Sequence, residues 1–301
     1  MKKVETGFKS GFVALLGRTN VGKSTLLNTL LGEKIAITTS KPQTTRNRIP
    51  GILTSEDGQI IFLDTPGIHK PKHKLGRYMV NIAKGTLAEV DIILFLVDAS
   101  QPLGPGDQFI ADLLTGVKTP IFLLLNKIDL LSRDELEAAQ KGYGGIFNFT
   151  TIIPVSALTG ENLSSLRESI LHYLPVGPQY YPEDMLTDQP ERFIVAELIR
   201  EKILLLTREE IPHSIAVEIQ EMWEEEDRDL VTIHANIYVE RDSQKGIVIG
   251  RGGRMLKEIG QRARADIEHL LGCQVFLHLW VKVKKDWRDS PAALRNFGYD
   301  G

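Results

Sequence analysis

Gly17-Arg18-Thr19-Asn20-Val21-Gly22-Lys23-Ser24 decides the fold of this 301-residue chain. The stretch is a full match to G-x-x-x-x-G-K-[ST]. It directly follows the apolar run 12–16 and opens a helix-like segment, 24–31. That is the strand-then-helix context in which the pattern cradles phosphate. Gly17 and Gly22 let backbone N–H groups turn inward around phosphate oxygens, with Asn20 and Val21 between them, and the helix N-terminus adds partial positive charge. Lys23 is expected to reach the β- and γ-phosphates and Ser24 to ligate Mg²⁺, with Thr25 beside it.

Three further motifs lie at the ends of apolar runs. Asp64-Thr65-Pro66-Gly67 closes the run 60–63. A carboxylate there is placed to hold Mg²⁺ through water, and the Gly67 amide can sense the γ-phosphate. Asn126-Lys127-Ile128-Asp129 closes the run 121–125. Asp129 decides the base: guanine offers N1–H and a 2-amino group side by side, which one carboxylate can accept together, and adenine offers no such pair. Asn126 is expected to tie the loops together and the Lys127 stem to lie on the base face. Ser156-Ala157 closes the run 152–155, where a small residue lets a backbone amide reach guanine O6. GTP as substrate, GDP as product and Mg²⁺ as cofactor follow.

From residue 11 to 174, strand-like runs at 12–16, 60–63, 92–97, 121–125 and 152–155 alternate with periodic stretches at 24–31, 75–87, 107–114 and 163–174. Such alternation predicts an α/β domain with a mostly parallel sheet and helices on both faces. We place this domain at 1–174. Residues 175–190, bracketed by Pro175, Pro178, Pro182 and Pro190, read as a linker, and a second domain fills 191–301. There the pattern is a helix at 193–206, strands at 214–222 and 230–239, a Gly-rich turn, a helix at 255–271 and a strand at 275–283. The acidic run Glu224-Glu225-Glu226-Asp227 between the first two strands reads as a solvated loop.

The turn Gly250-Arg251-Gly252-Gly253 is a G-x-x-G loop, followed by Arg254 and Lys257 on the helix it opens. KH domains clamp about four nucleotides of single-stranded nucleic acid with such a loop. From 241 to 288 the chain carries eleven Lys or Arg against five Asp or Glu, so a basic patch exists despite a formal net charge of -3. The helix–strand–strand–helix–strand order fits an α+β type II KH domain. RNA contacts are expected at Gly250, Arg251, Gly252, Gly253, Arg254 and Lys257.

The four nucleotide motifs, in this order, resemble GTPases of the translation-factor class, and Gln43-Thr44-Thr45-Arg46 resembles that group's switch I threonine segment. The resemblance implies that one threonine closes on Mg²⁺; Thr45 is the first choice and Thr44 the second. It also implies that Lys23, Thr45 and Gly67 carry catalysis. Ras-like proteins orient the attacking water with a Gln at the position after Gly67, where this chain has Ile68, so unaided hydrolysis should be slow. Asn20 resembles the asparagine with which some GTPases hold a monovalent cation, implying K⁺; an asparagine tolerating a strained turn is the alternative. A GTPase domain followed by this type of KH domain resembles the Era-like family, from residue 11 to the tail Leu294-Arg295-Asn296-Phe297-Gly298-Tyr299. That resemblance implies a role in assembly of the small (30S) ribosomal subunit, with the KH domain on the 3′ end of 16S ribosomal RNA. It further implies peripheral association with the inner membrane. A P-loop ATPase or kinase with a nucleic-acid-binding tail is the alternative, and Asp129 argues against it.

Apolar residues make up 42 % and charged residues 25 %, ordinary for a globular protein. The single Cys273 cannot form an internal disulfide, which suits a reducing cytosol. The first twelve residues have no apolar core or small-residue cleavage site of a leader. The longest apolar runs are strand-length, far short of a membrane span. The expectation is a soluble, cytoplasmic monomer.

Overall fold

A strand buried on both faces needs a continuous apolar run, and the chain supplies four of them in register. In the computed structural model, which describes residues 7–41, 43–68, 73–208, 211–226 and 229–299, these become the centre of a six-stranded sheet. The N-terminal residues 1–6, considered above for a leader, and Asp227 of the acidic run lie outside the described residues. The chain divides into two compact units. The first comprises Met1–Ala36, Thr45–Lys70 and Met79–Asp188; the second comprises Ile37–Thr44, Pro71–Tyr78 and Gln189–Gly301.

The first sheet is built from β1 (Lys9–Gly17), β2 (Ile49–Ser55), β3 (Gly58–Asp64), β4 (Ile92–Asp98), β5 (Ile121–Asn126) and β6 (Thr151–Val155) in the order β2-β3-β1-β4-β5-β6. All neighbours are parallel except β2 and β3. The intervening helices are α1 (Lys23–Leu31), α2 (Lys74–Thr86), α3 (Pro105–Leu113), α4 (Arg133–Gly144) and α5 (Leu163–Tyr173). Leu16, Phe95, Val97, Leu123 and Leu125 are fully buried in the core. Burying each such side chain contributes about 1.5–3 kcal/mol, which makes this the rigid platform of the molecule.

β2 and α4 were absent from the sequence expectation. β2 contains Pro50 and Gly51, which weaken a strand pattern, and the sheet accommodates them at its edge. α4 is polar, but Ser132 and Glu135 cap it reciprocally: the Glu135 carboxylate accepts from Ser132 N–H at 2.8 Å. The proline-rich stretch 175–190 is ordered along the first unit as far as Asp188. Ser10 N–H donates to the Pro175 carbonyl, Tyr180 and Tyr181 N–H to Gln59 Oε1, and Ile52 N–H to the Leu186 carbonyl.

The second unit contains α6 (Glu191–Leu206), α7 (Ile211–Ser214), β7 (Ala216–Glu224), β8 (Leu230–Val239), α8 (Asp242–Ile249), α9 (Arg254–Leu271), β9 (Gln274–Val283) and α10 (Pro291–Asn296). Its sheet runs β7-β8-β9, antiparallel then parallel. Ile199, Ile203, Ile233, Ile237, Ile259 and Ile267 form a common core between helices and sheet, which Ile37 joins. Thr38 N–H donates to Glu201 Oε1 at 2.9 Å, and Arg200 donates to the Thr44 carbonyl, so the segment Ile37–Thr44 is held by α6. α7, α8 and α10 went unpredicted, and the strand expected at 214–222 begins only at Ala216, because α7 takes Ser214. The C-terminal segment is anchored by Trp287, which is completely buried, donates Nε1–H to the Ser214 carbonyl at 2.9 Å and lies against Phe297 and Tyr299.

Candidate nucleotide site and nucleic-acid interface

Parallel strands expose their C-terminal ends together, and ligands bind there in open α/β sheets. Gly17, Asp64, Asp98 and Asn126 end β1, β3, β4 and β5, and Ser156-Ala157 follows β6. α1 begins at Lys23 with no acidic residue in its first turn and no side-chain cap on its N-terminus. Its first N–H groups therefore remain available to an external anion. Gly22 must be glycine: φ is 103°, and a Cβ there would meet Asn126 Nδ2 at 2.3 Å. Gly67 approaches the phosphate loop so closely that a Cβ would lie 2.8 Å from the Thr19 backbone nitrogen.

Lys23 is buried and donates Nζ to the carbonyls of Gly17 at 3.3 Å and Arg18 at 3.0 Å. Burial pushes its ammonium down to about 8, with Asp64 pulling the other way. Asp64 is raised above the usual carboxylate range by burial, while Lys23 and the hydroxyls of Ser24 and Thr45 lower it. Ser24 Oγ donates to Asp64 Oδ2 at 2.6 Å and lies 2.9 Å from Thr45 Oγ1, which itself reaches Asp64 Oδ2 at 3.3 Å. Asp64 Oδ1 is buried with no hydrogen-bond partner. Two hydroxyls converging on a carboxylate with one orphaned oxygen are a fitting donor set for a hard divalent cation. Among the described residues no group of three or more His, Cys, Asp or Glu could hold a metal, so such a cation would take its remaining ligands from phosphate and water. Thr44 does not join this cluster: its hydroxyl donates to the Lys41 carbonyl at 2.7 Å and meets Thr39.

Asn126 bridges two loops. Its Nδ2 donates to the Val21 carbonyl at 2.7 Å, and its Oδ1 accepts from Ala157 N–H at 2.9 Å. Asp129 Oδ1 accepts from Ser156 Oγ at 2.5 Å, which fixes the carboxylate. Lys127, in left-handed backbone at φ 68°, pairs its Nζ with Asp98 Oδ2 at 2.5 Å. Asp98 was missed from the sequence. Its signal was available, since it ends β4 opposite Asn126 in register. Thr29, which donates to the Ala157 carbonyl at 2.7 Å, was also missed, and a helix threonine carries no such signal. Asn20 lies at φ 65°, a left-handed position that asparagine tolerates better than most residues. Ile68 is buried, with its N–H donating to the Gly17 carbonyl at 3.1 Å.

In the second unit, Gly250, Gly252 and Gly253 all take positive φ, and the turn delivers the N-terminus of α9 at Arg254. Arg251, Arg254 and Lys257 are exposed. Beside the turn, α9 and β9 enclose an open groove of about 440 Å³, whose cations are Lys257 and Arg264. A single-stranded backbone fits such a groove, with glycines admitting close approach and lysine and arginine meeting phosphates.

Phosphate-loop chemistry at one end of a parallel sheet and a G-x-x-G groove on a separate small sheet define the class: a P-loop GTPase domain followed by a KH domain. Residues 12–127 match the family model described as 50S ribosome-binding GTPase, and residues 210–288 match the KH domain model. The crystal structure of Era in complex with MgGDPNP and nucleotides 1506-1542 of 16S ribosomal RNA is 45% identical, with a TM-score of 0.93, covering 98% of this chain and 100% of that one. A single-substitution variant of Aquifex aeolicus Era bound to GDP and AlF4⁻ is 44% identical, with a TM-score of 0.94 over the same shares. The chain belongs to the Era family of GTPases.

Proposed function

We propose that this protein is a GTP-hydrolysing switch that binds 16S ribosomal RNA near its 3′ end and acts in assembly of the small ribosomal subunit. The observation that carries the reading is the convergence of Ser24, Thr45 and the orphaned Asp64 oxygen beside Lys23 at the N-terminus of α1. In this reading Lys23 neutralises the β/γ-phosphates, and the Gly67 amide senses the γ-phosphate. Ser24, Thr45 and Asp64 hold Mg²⁺, which supplies charge stabilisation to the transferring phosphoryl group when bound. Asp129 reads guanine, with Asn126 and Ser156 fixing its loop. Lys127 lays its stem across the base on its way to Asp98, and the Ala157 amide meets O6. The exposed Arg251, Arg254 and Lys257 meet RNA phosphates, a reading supported by the RNA in the related Era complex. The domains are drawn at 1–174 and 191–301, with 175–190 joining them.

Ile68 offers no group to orient water, so turnover by the protein alone should fall well below the roughly 5–20 s⁻¹ of GAP-assisted Ras. Asn20 supports K⁺ as a cofactor, and replacing K⁺ by Na⁺ should then slow turnover. We further place the protein as a cytoplasmic monomer that associates peripherally with the membrane. No helix among the described residues is long and apolar enough to cross one. The test is single-turnover hydrolysis of GTP against ATP, together with titration of a 16S 3′-end fragment. Equal use of ATP, or no RNA binding, would overturn the reading.

A further inference from the structure

We propose that the outer face of the β7-β8-β9 sheet docks an arginine side chain presented by a basic segment of a partner protein. β9 alternates cleanly: Val275, Leu277, Leu279 and Val281 turn into the core, while Phe276, His278 and Trp280 turn outward, Phe276 at 52% and Trp280 at 43% exposure. Trp223 on β7 is 40% exposed. Tryptophans left in solvent on a sheet face mark interaction surfaces, where they are enriched as anchors.

The rings are organised rather than scattered. His234 lies on the central strand, with Trp223 and Trp280 on the strands either side of it. Both indoles stand perpendicular to its ring, at 88° and 89°, with centroids 5.0 and 5.2 Å away. Two half-exposed indoles therefore flank one imidazole on the open face of the sheet. Ring faces are electron-rich and attract cations, tryptophan most strongly.

Charge selects the occupant. The His234 Nδ1–H donates to the Glu221 carboxylate at 3.1 Å. The Glu225 carboxylate accepts from Trp223 Nε1 at 3.0 Å and from Thr232 Oγ1 at 2.8 Å. Two carboxylates bonded to the rings of this cluster repel a phosphodiester and attract a cation. A guanidinium can stack on an indole and hydrogen-bond to a carboxylate in its own plane, which an ammonium cannot match. The neighbouring G-x-x-G groove shares Phe276 and His278 but carries Lys257 and Arg264. The groove thus carries lysine and arginine, while the carboxylates stand on the β7 side of the sheet face, away from the exposed Lys282 that follows Trp280 on β9.

The experiment uses the full chain and three probes: a Gly-Arg repeat peptide, a Gly-Lys counterpart and decauridylate, followed by calorimetry and tryptophan fluorescence. The Arg peptide should bind best. Trp223→Ala or Trp280→Ala should weaken it about tenfold. The double change of the exposed Glu221→Gln and the half-buried Glu225→Gln, whose amide oxygen can still accept from Trp223 and Thr232, should weaken it about threefold and leave decauridylate unaffected. No binding of the Arg peptide to the unaltered protein, or affinity indifferent to the glutamine pair and to both tryptophans, would overturn the proposal. Loss of decauridylate with Trp280→Ala and retention of the Arg peptide would show an RNA surface instead.

Discussion

At the scale of single residues, Asp129 and Lys23 carry the sharpest expectations. Guanine N1–H and the 2-amino group both donate, and in the proposed reading the Asp129 carboxylate, steadied by Ser156 Oγ, accepts both. In Asp129→Asn the new NH₂ faces the 2-amino group, donor against donor, whereas xanthine presents a carbonyl there. The lost charge-assisted bonds are of order 1.5–3 kcal/mol each, so GTP affinity should fall about tenfold or more. XTP should then outcompete GTP on the variant in a displacement assay; a preference for GTP by the unaltered margin would remove Asp129 as the base reader. Lys23 gives a pH dependence. Its free-site value is lowered to about 8, and bound polyphosphate favours the charged form. The sign follows: affinity is full while the free site keeps its proton and declines as pH rises through about 8, by about tenfold one unit above. Titrating GTP affinity from pH 7 to 9 checks this, and a flat profile would mean that Lys23 does not meet phosphate as an ammonium.

At the scale of elements, what the sequence made legible follows from how each element is stabilised. The central strands announced themselves because burial on both faces demands unbroken apolar runs such as those in β4 and β5. The phosphate loop was legible because its glycines are needed by geometry. β2 was hidden because edge position tolerates Pro50 and because its two-residue turn, Glu56-Asp57, lacks the glycine that marks most tight hairpins. α4 was hidden because its face is polar and only the Ser132–Glu135 cap betrayed it. Asp98 closes its apolar run as Asp64 does, but its role stayed hidden because its partner, Lys127, comes from another loop. The C-terminal segment depends on one large anchor. Trp287→Ala removes the largest fully buried side chain and its hydrogen bond to the Ser214 carbonyl, costing about 3–5 kcal/mol. Chemical denaturation should show the second unit melting earlier while GTP binding by the first persists. An unshifted transition would mean that the segment contributes little to that unit.

At the scale of the whole molecule, the chain joins two sites that share no residue: a buried, charge-tuned cradle in the first unit and an exposed basic turn in the second. The formal net charge of -3 conceals this division, since the cations that matter are local. On this reading, nucleotide chemistry belongs to the first unit and RNA binding to the second. Arg251→Glu combined with Arg254→Glu tests it most directly, because both side chains are exposed and neither supports the core. The measurement is the affinity of the double variant for a single-stranded fragment of the 16S 3′ end at low salt, where phosphate contacts count most, alongside its affinity for GTP. RNA binding should weaken by about tenfold or more, at roughly 1.4 kcal/mol per decade, with GTP affinity unchanged. An unchanged RNA dissociation constant, or a parallel loss of GTP, would contradict it.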